Sequence, residues 1–235
     1  MTDRILTAAL NNARWCDAVC RTYGLRSAID EQAWTVPTRT PPYYPDAVTL
    51  SPDLDEFELL ARIDASDGAS VKDSWSALDL TDDDFARLVV GQWLWHDGTH
   101  DQAASSASLV WHSIGTAPDM RAWTAAWADE PDAPSILHPT LLAEPGVHVL
   151  AASSTGESEA PIIAGCIVNV TDGVAGLGNL FIRSGDTGSA WSGAVTAARE
   201  VVGGIPIVSW EAGDSIDAAV AAGCETLGPL TVWVR

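Results

Sequence analysis

Residues 174–191, VAGLGNLFI followed by RSGDTGSAW, run from an apolar strand pattern through a glycine-rich turn into the start of a helix. Trp191, Ala194, Val195, Ala198, Val201 and Val202 continue at helical spacing, so the turn opens a helix with one apolar face. Just upstream, Asp172-Gly173 is a tight-hairpin dipeptide, which predicts that residues 162–170 and 174–182 pair antiparallel. Residues 205–210 then read as a buried strand. Asp214, with Asp217 three residues on, is expected to cap another helix, which Gly223 ends, and residues 227–234 close as strands. Before the hairpin come a strand over 108–114, a helix over 118–129 with Met120, Trp123, Thr124 and Trp127 on one face, and a strand over 148–152. Strand–helix units joined by an antiparallel meander predict an α/β fold with a mixed sheet.

The first hundred residues are less regular. Ile5, Ala8, Ala9, Asn12, Trp15, Cys16, Val19 and Cys20 share a helix face within residues 1–30. Pro37, Pro41, Pro42, Pro45 and Pro52 predict an extended segment over 34–52, with Tyr43 and Tyr44 in its middle. A short helix follows within 53–64. Thr81 with Asp84 reads as a capping box, and residues 88–95 as a strand leading into a polar loop over 96–106. The regular pattern sets in near residue 105, so the expected division is an N-terminal extension over 1–104, possible also as an integral part of the sheet, and a domain over 105–235.

Composition excludes several classes. The 235 residues carry 32 acidic and 12 basic side chains, a formal net charge of −20, and 47% are apolar. That is enough apolar material for a core, and the negative field disfavours nucleic acid and anionic lipid as partners. The basic residues are eleven Arg and one Lys, Lys72, so no P-loop lysine exists. No apolar run is long enough to span a bilayer, and the polar N-terminus lacks a signal-peptide pattern, so the expectation is a cytoplasmic protein. Without a C-x-x-C pair, Cys16, Cys20, Cys166 and Cys224 read as reduced, buried thiols. His96 and His100 flank Asp97 in WHDGTH, but Gly98 argues for a loop, where that spacing builds no metal site, and none is expected.

The strand 174–182, the loop 183–191 and the run PIVSWEAGDSIDAAVAAGCETLGPL (206–230) resemble the GNAT superfamily of acyl-CoA-dependent N-acyltransferases. The chain as a whole also resembles uncharacterised actinobacterial GNAT-like proteins with an N-terminal extension of this size. The resemblance implies a GNAT-like fold, acetyl-CoA or another acyl-CoA as cofactor, and a small-molecule amine or peptide as acceptor. It places the cofactor against Phe181, Ile182, Arg183, Gly185, Thr187, Gly188, Ser189 and Ala190, with the pyrophosphate on amides at the start of the helix. Gly176 and Gly178 would permit a bulge in the preceding strand, where the family aims an amide at the thioester carbonyl. Asn179 on that strand and Glu211 at the end of the next are the candidate catalytic residues, Glu211 as base for the amine.

Two features depart from the family pattern. Asp186 stands where the first glycine of the phosphate motif belongs, and residues 216–222 contain no Tyr to act as general acid. They motivate the alternative of a GNAT-fold sensor or protein-interaction module without catalysis. Among eleven tryptophans, most are expected in the core. Trp93 and Trp95 share a strand face and, with Tyr43 and Tyr44, are candidates to line an acceptor pocket. The sequence does not define an oligomeric state.

Overall fold

The computed structural model of the chain describes residues 3–99, 109–128, 136–155 and 160–235. In chain order the elements are α1 (Arg4–Thr22), β1 (Ala28–Ile29), β2 (Ala33–Thr35), β3 (Ala47–Thr49), α2 (Glu56–Leu60), β4 (Ser70–Asp73) and β5 (Ala86–His96). There follow β6 (Val110–Ile114), α3 (Ala117–Ala128), β7 (Val147–Ser153), β8 (Ala164–Thr171), β9 (Val174–Ile182), α4 (Thr187–Val202), β10 (Ile207–Glu211), α5 (Ser215–Ala221) and β11 (Glu225–Val234). The expected mixed α/β fold is present. His100 and most of the polar loop at 96–106 lie outside the described residues.

Two compact units result. The first joins residues 1–93 with 210–213 and 226–235; the second joins 94–209 with 214–225. The division thus falls at Trp93/Leu94, and the first unit takes in the C-terminal strand.

In the first unit β1, β2 and β3 form an antiparallel meander, β4 runs parallel to β3, and β11 lies antiparallel to β4 with β5 beyond it. The parallel pair aligns Ala47 with Val71 and Val48 with Lys72. Immediately beyond, the Ser74 amide donates to Thr49 Oγ1 at 2.8 Å and the Ser74 hydroxyl to the Thr49 carbonyl at 2.7 Å, so side chains continue the ladder. α1 starts where the Asp3 carboxylate accepts the Ile5 amide at 2.9 Å, and it buries Ala8, Ala9, Trp15, Cys16, Val19 and Cys20, the face its spacing predicts. A second core gathers Leu54, Leu59, Ile63, Val71, Leu80, Phe85 and Trp233.

One expected cap is not made in this unit. The Thr81 amide and hydroxyl donate to Asp79 Oδ1, and the Asp84 amide donates to the Thr81 carbonyl at 3.4 Å, not to its side chain; Asp84 adopts a left-handed conformation (φ 64°) and its carboxylate meets Arg235 at 3.2 Å. The three-residue turn is too short for the reciprocal bonds of a capping box.

The second unit is an antiparallel sheet in the order β6, β7, β8, β9, followed by β10 parallel to β9. Asp172 (φ 50°) and Gly173 (φ 81°) make the two-residue turn between β8 and β9, as the dipeptide predicts. α4 is the crossover from β9 to β10; it buries Ala190, Trp191, Ala194, Val195, Ala197 and Ala198 and stops at left-handed Gly203. α5 begins at Asp214, whose side chain makes no capping bond because its backbone is already helical, and Gly223 (φ 93°) follows its end. Gly165 has a packing reason invisible in the sequence. A Cβ there would lie 2.4 Å from Trp123 Nε1 and 2.6 Å from a Phe181 ring carbon. Gly165→Ala is therefore expected to destabilise the protein by about 1–3 kcal/mol, read as a lower thermal midpoint in calorimetry.

Candidate functional site

The site grows from an irregularity in β9. Gly165 of β8 faces Phe181 and Ile167 faces Gly178, so two steps on β8 span three on β9, which holds one extra residue. Within that bulge Asn179 takes a left-handed conformation at φ 52°. Apart from glycine, Asn adopts it most readily, because its short polar side chain bonds locally. The bulge suggested by the glycines of β9 is thus present, with its turn made by Asn179. β9 pairs with β10 only through Ala175–Ile207 and Gly176–Val208, just before the bulge.

β9 ends at Ile182, and four residues later Asp186 caps α4. Its carboxylate accepts the Ser189 amide at 2.8 Å and the Ser189 hydroxyl at 3.0 Å. Those bonds, with one from the Gly188 amide, hold the carboxyl below its usual range. Asp186 therefore serves the helix as a cap and at the same time engages amides that a phosphate would need. A Cβ on Gly188 would lie 3.2 Å from Asp186 Oδ2, and Gly185 turns at φ 113°. Thr187 opens the helix and Ala190 is buried in its first turn.

Phe181, Ile182 and Arg183 line a cavity of about 370 Å³ together with Ala126 and Trp127 at the end of α3. The Phe181 ring meets Trp123 edge-on at 5.2 Å, and the Trp123 indole donates to the Leu150 carbonyl at 2.8 Å. Arg183 donates to the Ala126 carbonyl at 3.2 Å, and Arg199 to the Gly98 carbonyl at 2.8 Å. The eight residues expected to hold a cofactor are therefore consecutive or nearly so along one strand end, its turn and one helix start.

Glu211 is the last residue of β10, and burial pushes its carboxyl up to about 7. Trp93 is 1% exposed and donates its indole N–H to the Ser74 carbonyl at 2.8 Å, which makes it a core residue. Trp95 is partly buried, and Tyr44 packs edge-on to Trp15 with centroids 6.4 Å apart. Tyr43, at φ 71°, is 79% exposed. All four cysteines are free and buried, and burial pushes the Cys16 thiol up to about 11, away from the reactive thiolate. Among the described residues no three His, Cys, Asp or Glu side chains form a metal cluster, and no helix is long and apolar enough to cross a membrane. Lys72, the one lysine of the sequence, lies in β4.

Comparison with known proteins agrees with this architecture. No family model matches the chain, and no curated protein matches it. Solved structures do. A GCN5-related N-acetyltransferase from Kribbella flavida superposes with a TM-score of 0.60 at 14% identity, covering 95% of both chains. A tandem GNAT protein from the clavulanic acid biosynthesis pathway gives 0.51 at 13% identity, over 96% of this chain and 94% of its own. A conserved protein of unknown function from Staphylococcus epidermidis gives 0.59 at 9% identity, over 90% and 94%. The protein has the GNAT fold.

Proposed function

We propose that the protein is a GNAT-type N-acyltransferase that passes an acyl group from acyl-CoA to an amine. The observation that carries this reading is the Asn179 bulge in β9, followed within a few residues by the start of α4. A bulge frees a backbone amide from the ladder, and such an amide can stabilise the oxyanion formed when an amine attacks a thioester. Acyl-CoA, the acyl donor, would lie along Phe181, Ile182 and Arg183, with its pyrophosphate at the turn from Gly185 to Ala190. Glu211 takes the proton from the attacking amine, directly or through water; a carboxyl titrating near neutrality suits that task. The net charge of −20 favours a cationic amine as acceptor.

The Asp186 cap favours a second reading, a GNAT-fold small-molecule sensor or protein-interaction module without catalysis. Calorimetric titration of acetyl-CoA into the protein and into Asp186→Gly separates the two. Micromolar binding by the unaltered chain is the expected result, and binding by neither protein sinks the acetyl-CoA reading. Binding only by Asp186→Gly would mean that one carboxylate disables the phosphate site. For an exposed charge released from a cap, a gain of up to about tenfold in affinity is expected on substitution.

A further inference from the structure

Lys72 is 5% exposed in the first unit, yet no carboxylate pairs with it among the described residues. Its ammonium donates to Asn12 Oδ1 of α1 at 2.9 Å and sits over the Trp210 ring, 4.3 Å from the centroid. Such an ammonium is costly to bury, so a cation–π contact on a desolvated ring counts for more here than at the surface. Trp210 precedes Glu211 on β10. A Cβ on Gly91 would lie 3.2 Å from Trp210 Cε3 and 2.6 Å from the Glu211 carbonyl oxygen. The end of β10 is therefore held at two points, by the ammonium on the indole and by bare backbone at Gly91.

We propose that Lys72 is a positioning residue for Glu211, acting through the Trp210 indole, with Gly91 as the other contact that fixes the end of β10. This rests on the reading of Glu211 as the base. The groups facing Lys72 are Asn12 and Cys16 from α1 and Trp210 from β10; Cys16 is the titratable one. Burial is what pushes the Glu211 carboxyl up. Two mechanisms for Lys72 thus predict opposite signs. Removing a nearby positive charge would raise the Glu211 midpoint or leave it alone. Releasing the clamp would admit water to the carboxyl and lower it.

The test is a pH titration of the full chain labelled with carboxyl-¹³C glutamate, the Glu211 signal being the one lost in Glu211→Gln. Lys72→Met retains an unbranched, apolar side chain in a buried site and is expected to fold. Trp210→Phe, which retains a ring face, is the conservative control beside Trp210→Leu. The expected result is a fall in the Glu211 midpoint of about one unit or more in Lys72→Met and Trp210→Leu, and a near-native midpoint in Trp210→Phe. In acyl transfer, kcat should fall about tenfold in Lys72→Met with KM for acyl-CoA unchanged. A midpoint that stays or rises in both Lys72→Met and Trp210→Leu overturns the clamp. A fall in the midpoint, with a rate that even Glu211→Gln leaves untouched, keeps the clamp and removes the base role instead.

Discussion

Glu211→Gln is expected to lower the acyl-transfer rate by about two orders of magnitude, with the affinity for acyl-CoA unchanged. Glutamine keeps the size of the side chain and cannot accept the amine proton. With the carboxyl pushed up to about 7, the ionised base accumulates above that pH, so kcat/KM in the unaltered protein should rise with pH through 7. The same substitution should flatten that limb. Stability supplies an independent check. Between the ordinary glutamate range and 7 the folded chain holds a proton that the unfolded chain has released. Stability from this group therefore falls as pH rises through that window, by on the order of 3 kcal/mol, and Glu211→Gln removes the dependence. An unaltered rate in Glu211→Gln would leave the chemistry without this residue.

Trp93→Ala is expected to cost about 3–5 kcal/mol of folding stability, measured by denaturant or thermal unfolding. The side chain is 1% exposed and its indole N–H is satisfied by the Ser74 carbonyl, so truncation leaves both a large cavity and an unpaired acceptor. Ser74 also bonds Thr49 twice, which ties Trp93 to the junction of β3 and β4. A variant as stable as the parent would show that the indole does not hold this junction.

Local periodicity made much of this fold legible. β9, the Asp172-Gly173 turn and α4 each announce themselves within a dozen residues, because alternation, turn chemistry and helical spacing are short-range signals. The bulge was also within reach, although the eye goes to Gly178 and the backbone turns at Asn179. Asp186 shows the limit of motif comparison. Against a phosphate motif it reads as an intruder, whereas three residues ahead of Ser189 it is an ordinary cap. What stayed hidden depends on partners distant in sequence. Gly165 is explained by Trp123 and Phe181, Lys72 by Asn12 and Trp210, and the burial of Trp93 by Ser74. The same distance effect put β11 with the first unit.

That placement governs the order in which the molecule can be completed. Thr231 to Val234 pair with Asp73 to Ser70, and the Arg235 amide closes on the Ala69 carbonyl. During synthesis, β4 therefore waits for more than 150 residues before the strand that pairs with it is made. The second unit needs nothing beyond residue 225 and can close first. Of the two units, the first must bring β4 and β11 together across a long stretch of chain, with the loop-closure cost that this carries. Until then an open strand edge is available for mispairing, which makes the C-terminal strand the guard of the N-terminal sheet against aggregation.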